Sequence, residues 1–184
     1  PISPSFFRLM RVRAARGRLF LDEEGTLGKE TRIVLTDAFW REHFSADPGA
    51  IGRRIRITGR EFEIIGVLPS DFTFGDPEVR YWIPLALTDQ QRSDAARFNN
   101  GWFSIGRLKP GATIGQVRDQ LKAIDAVTLR RAPAQIRPLL ENTGFYTGVE
   151  PFEDYLVRDL RGPLYLLWSA AMAMLVVGIG NLAN

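Results

Sequence analysis

The only histidine, His43, lies beside Phe44 in a stretch of helical spacing, and the chain contains no cysteine. A serine or cysteine triad therefore lacks its pieces, and a metal site would have to be built from carboxylates alone. A lone histidine of this kind is ordinarily a surface or half-buried side chain, not a ligand or base. Acidic residues gather at Asp22-Glu23-Glu24, at Asp76 and Glu78, and at Glu153-Asp154, without the spacing of a calcium loop. They read as solvated charge. Gly28-Lys29 is followed by Glu30 and lacks the upstream glycine of a phosphate loop, and Gly178-Ile179-Gly180 has no strand before it. Arg53, Arg54, Arg56 and Arg60 could contact lipid headgroups or a nucleic-acid backbone, but only alternate strand positions share a face, so a solvated strand pair is the plainer reading. No pair of carboxylates is singled out for glycoside-type acid and base work. The residue types nominate no catalytic, cofactor-binding or metal-binding residue.

Composition sets the frame in which these residues must be positioned. At 184 residues, with 45% hydrophobic and 24% charged, the chain is one ordinary folded domain with a small appendage, neither disordered nor a disulfide scaffold. Its 24 Lys and Arg against 21 Asp and Glu leave +3, too thin a surplus to imply nucleic acid. The distribution departs from the average: after Arg161 there is no charge at all, in PLYLLWSAAMAMLVVGIGNLAN. Pro1 opens with no initiator methionine and no signal-like segment, so the chain reads as a piece of something longer.

A hydrocarbon core about 30 Å thick needs roughly twenty helical residues, which residues 164–182 supply. Leu164, Leu167, Leu175, Val176 and Ile179 each favour insertion by about 0.3–0.6 kcal/mol, against Gly178, Gly180 and Asn181. Tyr165 and Trp168 suit the headgroup level, and Pro163 suits the first turn of a helix. Ser169, Ala170, Ala171 and Ala173 would let another helix approach closely. The competing expectation is a buried C-terminal helix of a water-soluble fold.

Upstream, the spacing predicts a helix over residues 6–15 capped by Ser5 and ended by Gly17, then a polar loop to Glu30. A strand over 32–36 and a helix capped by Thr36 or Asp37, with Phe39, Trp40 and Phe44 as its stripe, come next. Residues 53–57 and 61–68 alternate as a hairpin across Thr58-Gly59-Arg60. YWIPLAL at 81–87 carries Pro84, which confines it to an edge, and 102–108 returns to strand character. Thr113 with Gln116 is a capping-box pattern opening a helix whose stripe is Ile114, Val117, Leu121 and Ile124, ending at Arg130-Arg131 before Pro133. Short strands are expected at 135–138 and 148–152. Residues 153–161 are expected to be helical and to run directly into the apolar stretch. The order of elements predicts an α+β domain with mixed or antiparallel pairing.

SPSFFRLMRVRAARGRLF at 3–20, IVLTDAFWREHFSADPGAIGRRIRITGREFEIIGVLPSDF at 33–72, WIPLAL at 82–87, GRLKPGATIGQVRDQL at 106–121 and the closing GNLAN together resemble the periplasmic core domain of MacB-like ABC transporter permeases, in the FtsX-like permease superfamily. Within it the chain looks most like the acidobacterial duplicated orphan permeases. Thr58-Gly59 departs from the Asn-Gly common at that hairpin corner, where threonine resists the positive φ of a type I′ turn.

The resemblance implies a domain over 1–152, a stalk over 153–162 and a membrane helix over 163–184, the second of four. It places residues 1–162 on the periplasmic side of the inner membrane. It also implies a permease dimer in membrane lipid and a separate cytoplasmic ABC ATPase that binds the ATP, so that this chain catalyses nothing and holds no cofactor. The stalk residues Asp154, Leu156, Arg158 and Arg161, with the span residues Leu164, Leu167, Trp168, Leu175, Val176 and Ile179, would transmit the ATPase-driven movement. Three classes of function follow: a permease component moving a substrate, a regulatory module controlling a cell-envelope enzyme, and a membrane-tethered enzyme.

Overall fold

The computed structural model describes residues 1–93, 96 and 103–182; the side chains of 159, 161, 176–178 and 180–182 lie outside that description. Contacts divide the chain into two compact units, Pro1–Ser104 and Ile105–Asn184.

The first unit contains α1 (Phe6–Leu9), β1 (Arg16–Gly17), β2 (Arg32–Leu35), α2 (Asp37–Phe44), β3 (Arg54–Ile57), β4 (Arg60–Val67), β5 (Tyr81–Trp82) and α3 (Asp89–Arg92). β4 holds the sheet together. β3 pairs antiparallel with its first half and β1 with its last two residues, while β2 runs parallel along the opposite edge and carries β5 antiparallel. The result is the expected α+β architecture around a mixed sheet. Pro84 is fully buried beside an isolated bridge to Ile2, at the edge where a residue lacking an N–H is tolerated.

The register between β2 and β4 slips by one residue, leaving Ile65 unpaired on β4. That slip resets the two-residue alternation, so Phe62, Ile64 and Val67 all join one cluster with Ile33, Leu35, Trp40 and Ala50. α2 covers the cluster because Thr36 Oγ1 accepts the Phe39 amide at 3.3 Å and starts the helix where the apolar stripe begins. The buried Trp40 indole donates to the Asp47 carbonyl at 2.9 Å, so burying it leaves no polar atom unpaired. A second buried group is aromatic, with Phe7 edge-on to Phe6, Phe72 and Trp82.

The first helix is shorter than its spacing predicts: it stops at Leu9, and Arg11 takes φ +58°. The chain is diverted to the sheet, where the Ala15 amide donates to the Val67 carbonyl. Gly17 is thus a strand residue, not a helix stop. It faces Gly66 across the β1–β4 pair, and a Cβ on either would fall 2.2 Å or 2.1 Å from a carbonyl oxygen of the opposite chain. Two facing glycines are what allow the strands to meet.

Asp22-Glu23-Glu24 is also not simply solvated charge, because Glu24 is buried. Arg18 donates to both its oxygens at 2.6 Å and 3.0 Å, the Leu21 amide adds a third bond at 2.8 Å, and Arg32 lies 3.6 Å away. Burial would push this carboxyl up; the Arg18 hydrogen bonds, the Leu21 amide and the charges of Arg18 and Arg32 outweigh it and hold it below the usual carboxylate range.

The second unit contains α4 (Ile114–Arg131), α5 (Arg137–Thr143) and α6 (Phe152–Leu182). The capping box is present: Thr113 Oγ1 accepts the Gln116 amide at 3.3 Å and Gln116 Oε1 accepts the Thr113 amide at 2.9 Å. Ile114, Val117 and Leu121 lie on the half-buried face of α4 as expected, but that face continues through the buried Asp125 and Thr128, and Ile124 is 56% exposed. The expected strands at 135–138 and 148–152 do not form; Pro138 instead occupies the first turn of α5, where its missing N–H costs nothing. Residues 103–108 have no strand partner, and Phe103 and Leu108 are exposed; Trp102, where that strand was expected to start, lies outside the described residues.

Two outcomes test this packing. Thr58 takes φ +47° and Gly59 φ +84°, so the type I′ corner forms despite its β-branched residue; Thr58→Asn is expected to stabilise the chain by about 1 kcal/mol in urea unfolding. The depressed carboxyl of Glu24 contributes stability that is present above the ordinary glutamate range and lost as pH falls below about 4. Glu24→Gln should cost about 1–2 kcal/mol at pH 7, the smaller figure reflecting a half-exposed Arg18, and should flatten this acid-side loss in denaturation series.

Candidate functional site

The residues nominated to do work lie in the second unit, on α6 and the segment that leads into it. α4 ends at Ala132, where Arg137 Nη2 donates to the carbonyls of Arg130 and Ala132, both at 2.9 Å, joining α5 to the end of α4. Gly144 closes α5 at φ +68°, a conformation that favours glycine, and the chain turns back along α4. There the buried Asp125 receives two hydrogen bonds from Thr147, from its amide to Oδ2 at 2.6 Å and from its hydroxyl to Oδ1 at 2.5 Å. A buried carboxylate bound this way is fixed, and so is the segment that enters α6 five residues later.

α6 is one uninterrupted helix of 31 residues. The expected continuity from stalk to apolar run is present. Pro163, however, is not in a first turn: it is interior to the helix, where its ring removes one backbone bond and crowds the carbonyl four residues back. It follows Gly162, around which a Cβ would meet nothing within 4 Å. The Gly162-Pro163 pair therefore marks a compliant point between stalk and apolar run.

In the stalk, Arg158 pairs with Glu150 and lies over the Tyr155 ring, its guanidinium 5.2 Å from the centroid. Tyr155 stacks on Phe152 at 6.3 Å. Asp154 is half-buried and Leu156 exposed. The Arg161 and Val176 side chains lie outside the described residues. Leu164, Leu167, Trp168, Leu175 and Ile179 are all exposed, from 56% to 69%. Among the described residues no helix is long and apolar enough to cross a membrane.

A groove of about 720 Å³ lies beside the stalk, between α4, residues 146–150 and the first turns of α6; Arg118, Lys122, Asp125, Thr147, Glu150 and Arg158 line it. The spacing of Arg118, Lys122 and Asp125 puts them on one helix face, but what distinguishes them is the Thr147 segment folded against that face, 22 residues beyond Asp125. His43 packs its ring 4.3 Å from Phe39 with its side chain half-exposed. Arg53 pairs with Asp47 at 2.6 Å and Arg60 with Glu30 at 3.1 Å. No group of three potential metal ligands occurs among the described residues.

The first unit is a mixed-sheet α+β domain, and the second ends in the long helix α6. The model of the MacB-like periplasmic core domain matches residues 2–124, and the chain belongs to that family. Solved structures that resemble it include the periplasmic region of MacB from Actinobacillus actinomycetemcomitans, at 13% identity and TM-score 0.45 over 68% of this chain and 54% of that one. Another, described as a domain of a permease protein from Porphyromonas gingivalis, has 16% identity and TM-score 0.42 over 68% of this chain and 57% of that one. The chain thus spans little more than half the length of either. No curated protein matches it.

Asp125→Ala should leave the Thr147 amide and hydroxyl without their acceptor, at a cost of about 1–3 kcal/mol. Hydrogen exchange is expected to show faster exchange at Thr147 and through residues 145–150, with the sheet of the first unit unchanged.

Proposed function

We propose that the chain is the extracytoplasmic domain and adjoining membrane helix of an ABC-type permease, carrying ATP-driven movement across the inner membrane to export or extract a substrate. ATP is bound by a separate cytoplasmic ATPase, the permease works as a dimer, and residues 1–162 stand on the periplasmic side. The observation that carries the reading is the single helix α6, which joins the stalk to a run of exposed apolar side chains. At 1.5 Å per residue such a helix is about 46 Å long, enough for a bilayer core of about 30 Å with roughly three turns left over as a stalk. Family membership supports the periplasmic placement.

In this reading the stalk is a lever. An ATPase can shift the outer domain only as far as the connecting helix resists bending, and a packed joint with two arrangements converts that shift into a change of state. Leu156→Gly with Val157→Gly in the full-length permease tests it against Leu156→Ala with Val157→Ala. Both pairs remove the same exposed side chains, but each glycine weakens the helix by about 1 kcal/mol relative to alanine. The glycine pair is expected to lower the transport-dependent phenotype about tenfold below the alanine pair at equal membrane abundance and ATPase activity. Equal phenotypes would sink the lever.

A further inference from the structure

We propose that the groove between α4 and the start of α6 is a binding site for the phosphate of an anionic phospholipid headgroup, an assignment that rests on the membrane reading of α6. Its charge is the first argument. Of the acidic groups in the groove, Asp125 is occupied by two hydrogen bonds from Thr147 and Glu150 is paired with Arg158. Arg118 and Lys122 are exposed, line the same groove, and make no ion pair among the described residues. Two like charges four residues apart on one helix repel each other, and because both carboxylates of the groove already carry partners, an external anion would relieve that repulsion. A phosphate offers acceptor oxygens to both, and a guanidinium binds it with paired donors.

Position is the second argument and selects the source of the phosphate. Arg158, on the α6 wall of the groove, precedes Leu164 by six residues, or about 9 Å of helix. A bilayer's polar layer is about 5–7 Å deep on each side of its hydrocarbon core. With the apolar run of α6 in the core, the α6 wall of the groove stands just outside the headgroup layer, a distance that long cationic side chains span. The groove's 720 Å³ admits a headgroup rather than a bare ion. A lipid held there would bridge α4 and the stalk on the same side as the Asp125–Thr147 bonds, stiffening the joint that the lever needs.

The test uses the full chain in mild detergent, scoring phosphatidylglycerol and phosphatidylcholine retained by native mass spectrometry. Wild type should retain phosphatidylglycerol preferentially, and Arg118→Gln with Lys122→Gln should reduce that preference on the order of tenfold or more. Arg118→Lys with Lys122→Arg should restore most of it. Arg54→Gln with Arg56→Gln removes the same net charge from the β3 hairpin and should leave it unchanged. Equal loss in both glutamine pairs, or no loss in either, overturns the site. Displacement of the lipid by millimolar inorganic phosphate at fixed ionic strength overturns the lipid assignment in favour of a free anion. Carbonate-resistant association of the same chain with phosphatidylcholine vesicles reads the membrane helix separately: its absence defeats the membrane reading, whereas its presence with unselective lipid retention defeats only the groove.

Discussion

A helix satisfies its backbone hydrogen bonds within itself, but its side chains still need surroundings that suit them. Along α6, among the described residues, Leu164, Leu166, Leu167, Trp168, Met174, Leu175 and Ile179 are each more than half exposed. At about 1.5–3 kcal/mol for burying one large apolar side chain, seven left in water forgo on the order of 10 kcal/mol. That equals the whole net stability of an ordinary domain. Such a surface favours contact with lipid or with other helices.

The first unit meets the opposite demand, since its sheet must be assembled from short strands that would not pair alone. One long strand, β4, supplies the pairing edge for three others. Facing glycines at 17 and 66 admit β1, and the unpaired Ile65 resets the alternation so that both halves of β4 serve one core. The Arg18–Glu24 bonds then tie the loop after β1 back to Arg32 at the start of β2.

What the sequence made legible was local. Thr36 and Thr113 announce helices because a cap acts within three residues, and the hairpin follows from alternation on both sides of a two-residue corner. Elements decided by distant partners were misread. Gly17 looks like a helix stop until Gly66 is seen opposite, and Glu24 looks solvated until Arg18 and Arg32 converge on it. The α4 stripe holds through Ile114, Val117 and Leu121 and departs only at its end, where charged Asp125 is buried and apolar Ile124 is exposed. The two Thr147 hydrogen bonds, which make burial of Asp125 acceptable, come from 22 residues downstream. Pro163 was taken to begin a helix because that is where proline is best tolerated, whereas packing and continuity carry α6 through it.

The matched family region ends at residue 124, so Asp125, the Thr147 segment and the stalk all lie beyond it. The mechanical argument therefore rests on their own chemistry. An interior proline weakens a helix by about 3 kcal/mol, and a pair of hydrogen bonds to a buried carboxylate contributes a similar amount. Neither is rigid against a driving free energy of several kcal/mol, and 1.4 kcal/mol already changes a population tenfold. A joint and a latch of similar strength open under similar loads, so the Pro163 kink point and the Thr147 bonds to Asp125 would give way together.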